Sequence, residues 1–110
     1  MNVVGDGQDF IPIYKSLSAG AIKTATDQAI HNLKGGFMVG EHVMRTLIPN
    51  YYLQKHNIQT LYVVKLPQQW RMTYSLHVFR KGQVPQVLIL ELMNHKSYNK
   101  RFGYFKKSSH

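Results

Sequence analysis

At 110 residues the chain suits one domain with a modest core, and the absence of cysteine excludes disulfides, thiolate metal sites and cysteine nucleophiles. With 44% hydrophobic and 17% charged residues it is not a disordered chain, and no apolar run has the length of a membrane span. The formal net charge of +9 is placed unevenly: residues 1–44 set three lysines against four acids, whereas residues 45–110 set eleven bases against Glu91 alone, a one-sided field that suits nucleic acid, an anionic membrane or an acidic protein partner.

Residues 1–9, with Gly5, Gly7, Asp6 and Asp9, read as a loose end, and the two acids spoil a signal-peptide reading. "FIPIY" (Phe10–Tyr14) is apolar but holds Pro12, so it is an edge strand at best. From Leu17 to Leu33 apolar residues recur every four positions, at Leu17, Ala21, Ala25, Ala29 and Leu33, which predicts a helix closed by Gly35 and Gly36. "EHVMRTLI" predicts a second helical stretch, interrupted by Pro49. "PNYYLQKH" restarts a turn behind Pro49, and Asn57 offers a left-handed stop.

Beyond this point the period becomes two. Ile58–Leu66 reads as a strand and "PQQ" as a turn. "WRMTYSLHVF" alternates, with Trp70, Met72, Tyr74, Leu76 and Val78 facing one way and Arg71, Thr73, Ser75 and His77 the other. "RKGQ" forms a hairpin turn around Gly82. "VPQVLILELM" is apolar on both faces and is therefore the central strand, with Pro85 at its start. Residues 95–102 read as a short helix ended by Gly103, and residues 105–110 are expected to be a flexible end. The layout is α+β: a small antiparallel sheet with two N-terminal helices packed on one face.

Three positions carry candidate chemistry. Arg71, on the polar face of its strand, offers planar bidentate donors that suit a phosphate, though pattern alone slightly favours an ordinary solvent-facing residue or a partner for Glu91. Glu91 sits inside an apolar strand and needs a partner, for which Arg71 or Lys65 is expected. His95 leaves the sheet rim as the side chain able to trade protons near neutral pH, with Tyr98, Lys100 and Arg101 within two helical turns. On the expected helix His95, Tyr98 and Phe102 share one side and Lys96 and Lys100 another. "GGFMVGEH" lacks the Lys-Ser/Thr of a phosphate loop, and the histidines show no metal-ligand spacing. Five acids in all argue against a paired-carboxylate hydrolase or a two-metal nuclease.

"LPQQWRMTYSL", followed by an apolar strand and "HKSYNKRFGY", resembles the RelE/ParE superfamily of small toxins, especially its archaeal forms, over about residues 17–104. The specific pieces are Trp70-Arg71 with Tyr74 three positions on, and His95 with Tyr98 three positions on. The resemblance implies a RelE-like fold and a cytoplasmic endoribonuclease, free of metal and cofactor, that cuts messenger RNA at the ribosome and is neutralised by a cognate antitoxin. It implies that Arg71 grips the scissile phosphate and that His95 and Tyr98 serve acid/base or leaving-group roles. It further implies RNA-binding roles for Lys96, Lys100 and Arg101, as a generally basic rim, and for Lys65, near the family's other basic residues on the strand before Arg71. Arg71 and His95 are then expected to converge on one cationic concavity. Two alternatives stay open on the same fold: a non-catalytic nucleic-acid-binding or regulatory module, and a ParE-like inhibitor of a topoisomerase.

Overall fold

The structure, a computed structural model, describes residues 1–77, 82 and 84–103. Among these, four helices accompany a five-stranded mixed sheet of order β1-β5-β4-β3-β2. The strands are β1 (Val3–Gly5), β2 (Glu41–His42), β3 (Tyr62–Lys65), β4 (Arg71–His77) and β5 (Gln86–Met93), and the helices are α1 (Ile11–Ser16), α2 (Ala21–Lys34), α3 (Asn50–His56) and α4 (His95–Phe102).

The α+β class stands, but two of its expected details are corrected. The sheet is not purely antiparallel, because β1 runs parallel to β5, pairing Val3 with Val87 and Gly5 with Ile89. The helices are neither all N-terminal nor confined to one face. On one face α2 buries Ala29 and Leu33 against Val64, Met72, Tyr74 and Ile89. On the other, Tyr52 of α3 packs with Ile48, Ile58, Leu61 and Leu90, and Phe102 of α4 lies against this second core. Along β5, Val87 and Ile89 join the first core while Leu88 and Leu90 join the second. A strand buried on both sides reads as apolar throughout, and β5 does lie inside the sheet, between β1 and β4, as its pattern predicts.

Several boundaries differ for local reasons. The expected loose start contains β1, whose three residues are too few to show a period. "FIPIY" contributes to helix α1 instead of a strand: Pro12 occupies the first turn, where its missing N–H is not needed, and Ile11 N–H bonds Asp6 O at 2.9 Å. Helix α2 starts at Ala21, and Leu17 caps α1. "EHVMRTLI" is no α-helix; it gives β2 and a 3-10 turn at Arg45–Leu47. Two features oppose the helix. Pro49 keeps Ile48 extended, and Gly40 holds φ at +90° where a Cβ would sit 2.5 Å from Val63 O, which turns the chain directly onto β3. Asn57 does end α3 in the left-handed region, and Gly103 likewise ends α4. The expected turn at Arg80–Gln83 lies outside the described residues except for Gly82, and so do Val78 and the residues from Tyr104 onward.

Candidate nucleic-acid interface

Helix α4 begins where β5 ends. Asn94 caps it by accepting Ser97 N–H at 2.9 Å, and the helix is then fixed by charge and by an aromatic contact. Glu91, buried near the end of β5, takes two hydrogen bonds from Arg101, Nε to Oε1 at 3.0 Å and Nη2 to Oε2 at 2.9 Å. Tyr52 donates to the same Oε1 at 2.5 Å and itself accepts from Thr73 at 3.1 Å. Burial and then the adjacent Glu91 carboxylate push the Tyr52 phenol far above its ordinary value, so it remains a donor. The Arg101 guanidinium also lies 3.6 Å from the Tyr51 ring centroid, and Phe102 meets Tyr52 edge to face. The partner of Glu91 is thus Arg101, not Arg71 or Lys65. The whole of Thr73 and Ser75 is buried because Tyr52 and Thr60 satisfy their hydroxyls.

With Glu91 occupied by Arg101, Arg71 is left to a different surface. Its Cζ lies 5.2 Å from the Tyr98 ring centroid, and its Nη1 donates to the Trp70 carbonyl at 2.9 Å. Lys65 is the register partner of Arg71 across β3 and β4, which sets two cations side by side at the strand ends. Glu41, whose register partner is Val63, reaches Lys65 at 3.5 Å. These four side chains line an open depression of about 280 Å³, with Met44 and Leu47 on its rim.

His95 lies elsewhere on α4. Its Nε2 is 3.0 Å from Asn99 Nδ2, and with Lys96, Asn99 and Lys100 it lines a second, neighbouring depression of about 450 Å³. The structure therefore brings Arg71, Lys65 and Tyr98 together. His95 stands one helical turn before Tyr98, beside Lys96 and Lys100. Arg101 belongs to the buried pair. Each of the five carboxylates of the chain faces one of its own cations: Asp6 and Asp9 meet Lys55, Asp27 meets Lys23, Glu41 meets Lys65 and Glu91 meets Arg101. Arg71, Lys96 and Lys100 have no carboxylate partner among the described residues, and neither do Lys15, Lys34 and Arg45, so α4 and the adjoining strand ends hold three of six unneutralised cations.

At the far side of α3, Asp6 anchors the N-terminal loop. Its burial disfavours charge, but N–H groups of Asp9 and Gln8 and the Lys55 ammonium outweigh this and hold its carboxyl below the usual range. His56, 3.3 Å from Asp6, is held below its ordinary value, chiefly by burial. Both folded-state values are depressed, so the folded protein binds fewer protons than the unfolded chain and stability rises with pH. The His56 contribution is present above 6.5 and is lost as pH falls below it; that of Asp6 is lost below 3.8. Thermal melts are accordingly expected to shift downward from pH 7 to pH 5, and His56→Gln is expected to flatten that interval. An unchanged slope in the variant would remove His56 from this role.

Two features of the site escape the sequence. Glu41 falls in a segment whose pattern reads as helix, and only the turn at Gly40 aligns it with Lys65. The Tyr52–Glu91–Arg101 group joins α3, β5 and α4 through contacts that no spacing specifies. Among the described residues, no three His, Asp or Glu side chains cluster so as to hold a metal ion, and no helix is long and apolar enough to cross a membrane. No family model, curated protein or solved structure matches the chain.

Proposed function

We propose that this chain is a RelE-like toxin, a metal-independent endoribonuclease that cuts messenger RNA on the ribosome in the cytoplasm and is held in check by an acidic antitoxin. The observation that carries the reading is the Arg71 guanidinium, without a carboxylate partner among the described residues, set against Tyr98 in an open depression with Lys65 beside it. Such a pair of cations neutralises a phosphate, and RNA supplies its own nucleophile in the 2′-hydroxyl.

The step balances on side chains alone. The 2′-oxygen bonds to phosphorus as its proton passes to the Glu41 carboxylate, which lies in the same depression. Arg71 and Lys65 stabilise the pentacoordinate phosphate. The bond from phosphorus to the 5′-oxygen breaks, and that oxygen takes the hydroxyl proton of Tyr98, which lines the same depression; Tyr98 leaves the step as phenolate and regains a proton from solvent. The products are a 2′,3′-cyclic phosphate and a 5′-hydroxyl. Lys96 and Lys100 hold the neighbouring backbone.

One observation favours a second reading. His95 lines a different depression from Arg71, and a module that only binds RNA needs the cations without convergence. Purified protein added to messenger-programmed ribosomes separates the two. Discrete cuts support the nuclease. Steeply salt-dependent binding without cuts points to the binding module, and blocked supercoiling by a topoisomerase would assign the chain to the ParE-like class instead.

A further inference from the structure

The rim of the Arg71 depression is not explained by phosphate chemistry. Met44 and Leu47 flank the 3-10 turn after β2, line the depression, and expose 65% and 62% of their surfaces. They rank among the most exposed large apolar side chains of the described residues, and they lie beside two cations. A solvent-facing role alone does not account for a pair of large aliphatic side chains set at this place. Nor do they complete a core: Ile48 and Val43, their chain neighbours, pack with the second core, Val43 lining the depression as well, whereas Met44 and Leu47 belong to neither core and are largely exposed.

Resting on the nuclease reading, we infer that Met44 and Leu47 form an apolar platform that receives the nucleobase next to the phosphate held by Arg71 and Lys65. The chemistry favours a base over other apolar occupants. A nucleotide presents a flat, weakly hydrated face close to an anion, and this depression holds exposed apolar side chains and two cations together. Every base has such a face, so recognition by contact area is tolerant of sequence and grades with base size. Thioether and branched aliphatic side chains offer no fixed hydrogen bonds to the edge of a base. The platform would therefore prefer purines over pyrimidines without selecting one purine. Tyr98, which also lines the depression, is engaged by the Arg71 guanidinium, so the aliphatic pair and not the phenol ring supplies the open apolar face.

The test crosses enzyme and substrate. Met44→Ser/Leu47→Ser is compared with wild type on two programmed messengers, one with a purine and one with an abasic nucleotide at the position adjoining the cut. Wild type is expected to show a KM about tenfold higher on the abasic messenger, with kcat little changed. The double variant is expected to show the raised KM on both, so that enzyme change and substrate change do not add. Both side chains are exposed, and an unchanged melting temperature confirms that the fold is kept. If wild type cuts but the two changes add independently, or if the variant cuts the purine messenger with wild-type KM, the platform is overturned while the nuclease reading stands. Unaltered cutting together with lost binding of a protein partner would assign the rim to that partner instead. If wild type cuts no RNA in any form, the reading beneath this one fails first and takes it along.

Discussion

Arg71→Ala is expected to lower the single-turnover cleavage rate by about 10²–10³-fold, the usual consequence of removing one preorganised charge-stabilising donor from a phosphate or oxyanion. The reason is positional. The guanidinium is held between the Trp70 carbonyl, 2.9 Å from Nη1, and the Tyr98 ring, so it meets a phosphate without first being ordered. Lys65 is the only register neighbour that could substitute, and its ammonium is shared with Glu41 at 3.5 Å. Arg71→Lys is expected to recover part of the loss, because it restores charge without the planar fork. Stability should move by no more than about 1 kcal/mol, since the half-exposed cation–π contact is the main interaction removed. Cleavage time courses and melts on the same preparations check both halves. Wild-type rates in the alanine variant would strip Arg71 of its role.

The second large effect is on stability. Arg101→Ala is expected to destabilise the fold by about 3 kcal/mol or more, because it leaves the buried Glu91 carboxylate with Tyr52 as its remaining hydrogen-bond donor. For a domain of this size that is a large share of total stability and corresponds to a melting temperature lower by roughly 10–20 °C. The asymmetry of the pair supplies an internal control. Removing both charges, as in Glu91→Leu/Arg101→Met, should cost less than Arg101→Ala alone, since no uncompensated charge remains. A denaturant titration of wild type, single and double variants measures this. If the double variant is the least stable of the three, the buried pair is not organised as described. Because Arg101 lies on α4 together with Tyr98, Lys96 and Lys100, its loss should also reduce cleavage, through loosened helix docking and not through lost contact with RNA.

How much of this was legible beforehand depends on whether local chemistry decided the element. Helices α2 and α4, the left-handed stops at Asn57 and Gly103, and the inward place of β5 all follow from spacing, caps and apolar pattern, and the chain displays them plainly. The misread segments are those where partners outside the segment decide. Phe10–Tyr14 holds a proline compatible with a strand edge or with a first helical turn, and the Asp6 loop selects the second. Glu41–Ile48 has apolar residues that fit a helix, yet Gly40 and Pro49 bracket it too tightly. Val3–Gly5 becomes a strand only because β5 offers it an edge. At the site, Arg71 with Tyr98 was visible as two separate motif pieces, and the structure places their side chains in contact. Arg101 looked like one more member of a basic rim because its charge was visible and its partner ten residues earlier was not. Glu41 was passed over since its neighbours suggested a different element.

In the proposed reaction the Arg71 depression directs attack by RNA's own 2′-hydroxyl. The most direct measurement compares a programmed messenger with one carrying a single 2′-deoxy nucleotide on the 5′ side of the mapped cut, and determines the end groups of every fragment. Wild type is expected to leave a 2′,3′-cyclic phosphate and a 5′-hydroxyl on the first messenger and to make no cut at the substituted position on the second. Cleavage of the deoxy position at an undiminished rate, or fragments bearing 5′-phosphates, would contradict attack by the 2′-hydroxyl.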